Sequence, residues 1–343
     1  MKMNAKSSKQ KRGFIWWSRA LLTLMLIFVV ATWITGAVLK YNNLKQNPAP
    51  GQLVDVNGYR MHIYCTGEGS PTVILAAGLD DFSIFWSQVQ PEIAKSTRVC
   101  SYDRAGLGWS EASPDPRTSE NMVKELHTLL TSAKIEGPYV LAGHSFGGAL
   151  TRLYAHDYPD EVIGMILVDA APDDLFIRVP SWENAIEGKV GLYRTLAPLS
   201  SFGLLAFTPG SIPGRGLPDD ALAQYRAIAV STDYFQTGVL EDEAFESNLA
   251  EVRAANVDLG DMPLVVLSRG YWDSIPGFSD AENKQAWQMW QEMQVELLSL
   301  STDSRQIIAT ESEHHIQLQQ PELVIDAIFD VIKFTREFAW NYK

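Results

Sequence analysis

Residues 138–150, with Gly143-His144-Ser145-Phe146-Gly147 at their centre, limit what this chain can fold into more than any other stretch. An apolar run, Tyr139-Val140-Leu141-Ala142, leads in, and a helical pattern leads out. A strand that turns at once into a helix holds its apex residue in a strained backbone conformation. Flanking glycines remove the side chains that would collide there. The Ser145 hydroxyl is then pushed out above the end of a sheet, and the next backbone N–H faces the same space. Without that strand-to-helix context the five-residue pattern is a weak signal, and a Gly-rich turn with a bystander serine is the competing reading.

The rest of the chain supplies the context. Residues 53–56 and 59–65 around Asn57-Gly58 read as a hairpin, because Asn-Gly favours the positive φ angles of a two-residue turn. Residues 72–77, 98–102, 162–168, 264–267 and 305–309 read as strands, several of them apolar throughout. Between them, 85–94, 120–135, 147–156, 281–300 and 321–338 read as helices. Such alternation predicts an α/β fold, a mostly parallel sheet covered by helices on both faces. Residues 173–260 break the rhythm with five prolines, many aromatics and only weak helical patches. They are expected to form a cap insertion over the carboxyl edge of the sheet.

The N-terminus obeys different physics. Residues 1–40 carry seven Lys/Arg and no acid, and residues 20–39 carry no charge at all. A helix of twenty residues rises about 30 Å, the thickness of a bilayer's hydrocarbon core. Trp16 and Trp17 flank it on one side and Tyr41 on the other, as interfacial aromatics do. This predicts a basic cytoplasmic segment at 1–19, a transmembrane anchor at 20–39 and a polar, proline-containing linker at 40–51. The domain at 52–343 would lie on the extracytoplasmic side. A cleaved signal peptide, leaving a secreted or periplasmic body, is the rival. Beyond residue 40, 21 basic residues face 41 acidic ones, a net −20, which argues against nucleic-acid binding.

Several landmarks then fall in one order: Ala77-Gly78, Asp103-Arg104-Ala105-Gly106-Leu107-Gly108-Trp109-Ser110, Gly143-His144-Ser145-Phe146-Gly147, and His314 seven residues before Pro321-Glu322. In these the chain resembles the α/β-hydrolase-fold superfamily over nearly all of 52–340, with a likeness to bacterial membrane-anchored or exported serine hydrolases. The resemblance implies Ser145 as nucleophile, His314 as base and Asp169 as the acid that orients it. His315 is the competing base. Asp273, after the following strand, is the competing acid, because most members of the fold place the acid there while the dehalogenase branches place it where Asp169 stands. Backbone N–H groups of Leu79 and Phe146 would form the oxyanion hole. Asp103 and Arg104 read as a structural turn, and Asp80 and Asp81 receive no role. If the resemblance holds, Cys65 and Cys100 lie on neighbouring antiparallel strands, open to a disulfide or to two buried thiols. No cofactor is expected, and neither cysteine nor His314-His315 has metal-ligand spacing.

The implied activity is cleavage of an apolar ester, or of a thioester or amide, through an acyl-enzyme. Dehalogenases and epoxide hydrolases of this fold need Asp at the apex, where this chain has Ser145. Perhydrolase or lyase chemistry and a catalytically silent membrane-anchored binding protein are the alternatives. Substrate identity and oligomeric state are not legible.

Overall fold

The computed structural model describes residues 3–272 and 274–341, with side chains at 14–272 and 274–337. In chain order the elements are α1 (Met3–Gln46), β1 (Gln52–Val56), β2 (Tyr59–Thr66), β3 (Thr72–Ala76), α2 (Gln90–Ile93), β4 (Val99–Tyr102) and α3 (Ser119–Ser132). Then come β5 (Tyr139–His144), α4 (Phe146–Asp157), β6 (Val162–Val168), α5 (Leu175–Arg178), α6 (Trp182–Ser201), α7 (Asp219–Ala229) and α8 (Thr232–Ala255). The chain closes with β7 (Leu264–Arg269), α9 (Asp280–Glu296), β8 (Ser304–Ala309), α10 (Ile316–Gln319) and α11 (Pro321–Asn341).

The eight strands form one sheet in the order β1-β2-β4-β3-β5-β6-β7-β8. The strand β2 runs antiparallel to both its neighbours, β1 and β4; from β4 onward every pairing is parallel. Side chains alternate between two cores, as the two-residue period of a strand requires. Ile74, Leu141, Met165, Leu167 and Val266 pack under α3, α4, α8 and α9. Val73, Leu75, Val140, Ile166 and Leu267 pack against α2 and α11. Both faces are covered, and this is why β3, β6 and the first four residues of β5 and β7 are almost wholly apolar.

Residues 175–255 are more regular than the sequence suggested. The weak patches are helices of 20 and 24 residues, α6 and α8, packed on each other. Pro198 sits in the last turn of α6, and the helix ends three residues beyond it. The cap has its own core, in which Phe82 and Phe85 from the sheet domain meet Tyr225, Tyr234 and Phe235.

The helix α1 continues through residues expected to be linker, as far as Gln46, because no breaker occurs before Pro48. Its stretch Phe14–Gln46 is the one helix, among the described residues, long and apolar enough to cross a membrane.

Cys65 and Cys100 face each other in the β2–β4 register and are joined as a disulfide, closing a sequence separation of 35 residues. On loop-closure grounds, C65A/C100A should lower the unfolding free energy by about 4 kcal/mol. Denaturant melts of both proteins, with a mobility shift of the parent on reduction in denaturing gels, check this. An unshifted parent would mean two thiols.

Candidate active site

Ser145 occupies the turn between β5 and α4 with φ 51° and ψ −121°, a conformation that L-residues rarely adopt. The glycines around it are there for space. A Cβ on Gly143 would stand 2.5 Å from the Gly147 carbonyl oxygen, and one on Gly147 would stand 2.4 Å from that of Ala76. The Ser145 N–H donates to Val168 O at 3.1 Å, and Ser145 O accepts from Gly148 and Ala171, each at 2.9 Å. The strained turn is thus bonded to the end of β6, where Asp169 sits.

The Ser145 Oγ lies 2.9 Å from His314 Nε2, and His314 Nδ1 lies 2.6 Å from Asp169 Oδ2. With the ring proton on Nδ1, donated to Asp169, Nε2 is left to accept the serine hydroxyl's proton. The three sequence candidates therefore meet in one hydrogen-bonded chain. His315, the competing base, points elsewhere, with Nε2 3.3 Å from Asp81 Oδ2. Asp273, the competing acid, lies outside the described residues.

Asp169 is fully buried and has more partners than the imidazole. Its Oδ2 accepts from Arg269 Nε at 2.5 Å. Its Oδ1 accepts from Trp290 Nε1 at 2.9 Å and from the Arg269 backbone N–H at 3.2 Å. Burial alone would raise its pKa, but Arg269 and the bonds from His314 and Trp290 hold it below the ordinary carboxylate value. Arg269 Nη2 also stands 2.7 Å from His314 Nδ1. Burial, and then this cation, push the His314 pKa well below that of a free imidazole. Arg269 was not singled out in the sequence. The signal was a charged residue ending a strand whose first four residues are apolar.

The loop after β3 faces the serine. Leu79 lines the same cavity as Ser145. Phe146 is the first residue of α4, so its N–H has no acceptor within the helix. Arg104 holds the loop in place by donating from Nη1 to Ala77 O and from Nη2 to Gly78 O, both at 2.7 Å. Its charge is matched by Glu241 of α8, whose Oε1 accepts from Nε at 2.9 Å and Oε2 from Nη2 at 2.7 Å. Asp103 is structural as expected, accepting from the N–H groups of Ser83 and Trp109 and facing His62 Nδ1 at 2.9 Å. Arg104 does more than turn the chain, since it orients two carbonyls beside the proposed oxyanion donor.

Asp80 and Asp81, left without a role by the sequence, are both buried. Asp80 pairs with Lys189 of α6, which also contacts Asp242 of α8 at 2.9 Å. Asp81 pairs with Arg215 of the cap at 2.6 Å. Against burial, Arg215 and the neighbouring imidazoles hold Asp81 well below the carboxylate range. Asp81, His144 and His315 together have the ligand atoms of a metal site, but the Arg215 guanidinium already neutralises the one carboxylate. The His144 Nε2 bonds to His314 O at 2.9 Å, fixing the loop that carries the proposed base.

Above Ser145 is a cavity of about 680 Å³ under the cap. Leu175, Trp182, Ile186, Leu192 and Phe245 make its walls chiefly apolar, with Lys189 and Arg215 at the polar side.

The family described as alpha/beta hydrolase fold matches residues 71–195, the segment from β3 into α6. The chain has the α/β-hydrolase fold. The Bacillus subtilis (strain 168) protein YqjL, uncharacterised, is 29% identical to it over 266 residues, covering 77% of this chain and 85% of that one. A soluble epoxide hydrolase of Corynebacterium sp. (strain C12) is 34% identical over 120 residues, 34% of this chain and 40% of that one. In three dimensions this hydrolase-fold chain is similar to a thermophilic esterase from Thermogutta terrifontis, with a TM-score of 0.58 at 21% identity, over 83% of this chain and 98% of that one.

The proton acceptor must be neutral, and the His314 pKa is depressed, so the serine's reactivity should persist below pH 6.5. In Arg269→Gln the cation that opposes the imidazolium is gone, so the acid limb should move to higher pH. The pH dependence of inactivation by a fluorophosphonate reads both limbs; an unmoved limb in R269Q would remove Arg269 from the electrostatics. Separately, Arg104→Met leaves Glu241 buried with one fewer cation and should cost about 3–5 kcal/mol of stability. Urea titration measures it.

Proposed function

We propose that this α/β-hydrolase-fold protein is a serine hydrolase that cleaves an ester with an apolar acyl group through an acyl-enzyme. The single observation that carries the reading is the 2.9 Å contact between Ser145 Oγ and His314 Nε2, in line with Asp169. A serine hydroxyl is a poor nucleophile until a neutral base stands within hydrogen-bond reach. Here His314 takes the Ser145 proton as Oγ attacks the carbonyl carbon. Leu79 and Phe146 N–H groups receive the oxyanion. The imidazolium then gives its proton to the departing alkoxide, and the alcohol leaves. Water, deprotonated by His314, attacks the acyl-enzyme and regenerates Ser145. Ester and water become acid and alcohol, and no further co-reactant is needed.

An intermediate of the epoxide-hydrolase kind needs a carboxylate at the apex, whereas Ser145 offers a hydroxyl. Thioesters and amides fit the same steps. The apolar walls of the 680 Å³ cavity suit an acyl chain more than a charged acid. We further read α1 as an anchor with its basic end in the cytoplasm and the hydrolase domain outside. The charge asymmetry and the Cys65–Cys100 disulfide support that side.

Labelling by a fluorophosphonate probe tests the reading. The parent should label, while Ser145→Ala and His314→Ala should not. Asp169→Asn should lower kcat/KM on a simple ester by about 10³–10⁴-fold with the fold intact. Labelling that survives Ser145→Ala would sink the proposal.

A further inference from the structure

The helix α1 does not stand clear of the domain. Gly36 and Gly203 touch backbone to backbone, so closely that a Cβ on Gly36 would lie 2.5 Å from the Gly203 Cα. Further along, Leu44 packs on the cap core. Gly36 lies three residues before the end of the charge-free run at Leu39, or about 5 Å along the axis. A cap residue level with Gly36 is therefore level with the edge of the hydrocarbon layer that α1 crosses.

What surrounds Gly203 suits that depth. Leu199, Phe202, Leu204 and Phe207 are exposed, at 37%, 51%, 40% and 47%. From Thr195 to Gly214 the chain has twenty residues and not one Asp, Glu, Lys, Arg or His, in a body that is otherwise strongly acidic. A soluble face would not leave two phenylalanines and two leucines in water beside one another without an occupant. The neighbouring surface already in place is the apolar α1, so the patch continues an apolar surface toward the bilayer.

We propose that the tip of the cap, residues 199–207, inserts shallowly into the leaflet that α1 enters, so that the hydrolase domain rests on the membrane and takes its substrate from it. The occupant is the lipid bilayer. The substrate class sharpens to a bilayer-dissolved ester. The route is α6, whose Leu192 lines the cavity and whose Leu199 belongs to the patch, seven residues or about 10 Å further along the helix. This inference rests on α1 as an anchor and, for the substrate, on the serine-hydrolase reading.

The test uses the full chain in phospholipid nanodiscs doped with phosphatidylcholine that carries a diazirine near the carboxyl end of its acyl chain. After photolysis, labelled peptides should include α1 and the segment 199–207. Phe202→Ser/Phe207→Ser should lose the cap label and hydrolyse a bilayer-dissolved long-chain ester about tenfold more slowly. A short water-soluble ester should turn over at the parent rate. Label in α1 alone would overturn the proposal, as would label in neither segment, which would also remove the anchor. A dimer that the double variant dissolves would assign the patch to a second copy instead. None of these outcomes touches the fluorophosphonate result, so the two readings fail separately.

Discussion

The site depends on one strained residue. Ser145 at φ 51° and ψ −121° costs on the order of 1–3 kcal/mol, and such a conformation persists only where its surroundings over-determine it. Here they do. The N–H is bonded to β6, the carbonyl accepts twice, and Gly143 and Gly147 let the backbones of β5, α4 and β3 approach to distances no side chain would permit. The same bonds that hold the turn bring Asp169 to a fixed place beside it. The mostly parallel sheet is thus a frame that brings a hydroxyl, an imidazole and a carboxylate to one point above its carboxyl edge.

A second layer of constraint is electrostatic and joins the cap to this frame. Asp80 and Asp81 follow Leu79 directly, yet neither faces water. Lys189 and Arg215 reach down from the cap to meet them, and Arg104 holds the two carbonyls just before them. Glu241 of α8 closes the circuit on Arg104, with Arg117 as its second cation. Breaking one partner of such a buried set leaves a charge without compensation, which is why cap and loop should move as one body. The proposed oxyanion donor is therefore positioned by residues from both halves of the domain.

The sheet, the turn and the order of the landmarks were legible because each is a local pattern: apolar runs of strand length, a Gly-Ser-Gly turn, an Asn-Gly hairpin. The cap was less so. The helices α6 and α8 bury their sides against each other and the domain at different places along their length, so neither shows one clean apolar stripe. The roles of Asp80, Asp81, Arg104 and Arg269 were not legible, for one physical reason. Each is fixed by a partner at a sequence distance of about 100 residues or more, and no spacing within a single element encodes such a pairing. Two consecutive acids beside a backbone donor were the visible hint that cations had to come from elsewhere.

Arg269 gives this arrangement an electrostatic character of its own. In a Ser–His–Asp set without it, protonation of the imidazole turns a site of charge −1 into a neutral one. With Arg269 bonded to Asp169 the resting set is neutral, and the same proton makes it +1 in a buried place. The imidazole becomes a weaker base, which slows removal of the serine proton, but its conjugate acid becomes a stronger donor. In the proposed acyl transfer, the second half, in which a poorly leaving alkoxide must be protonated as the bond breaks, gains what the first half loses. That exchange favours substrates whose alcohols leave badly over activated esters that need no help. Alkyl esters, the substrate class proposed above, belong to the first group, so under that proposal the charge at the back of the site and the apolar walls at its front select the same chemistry.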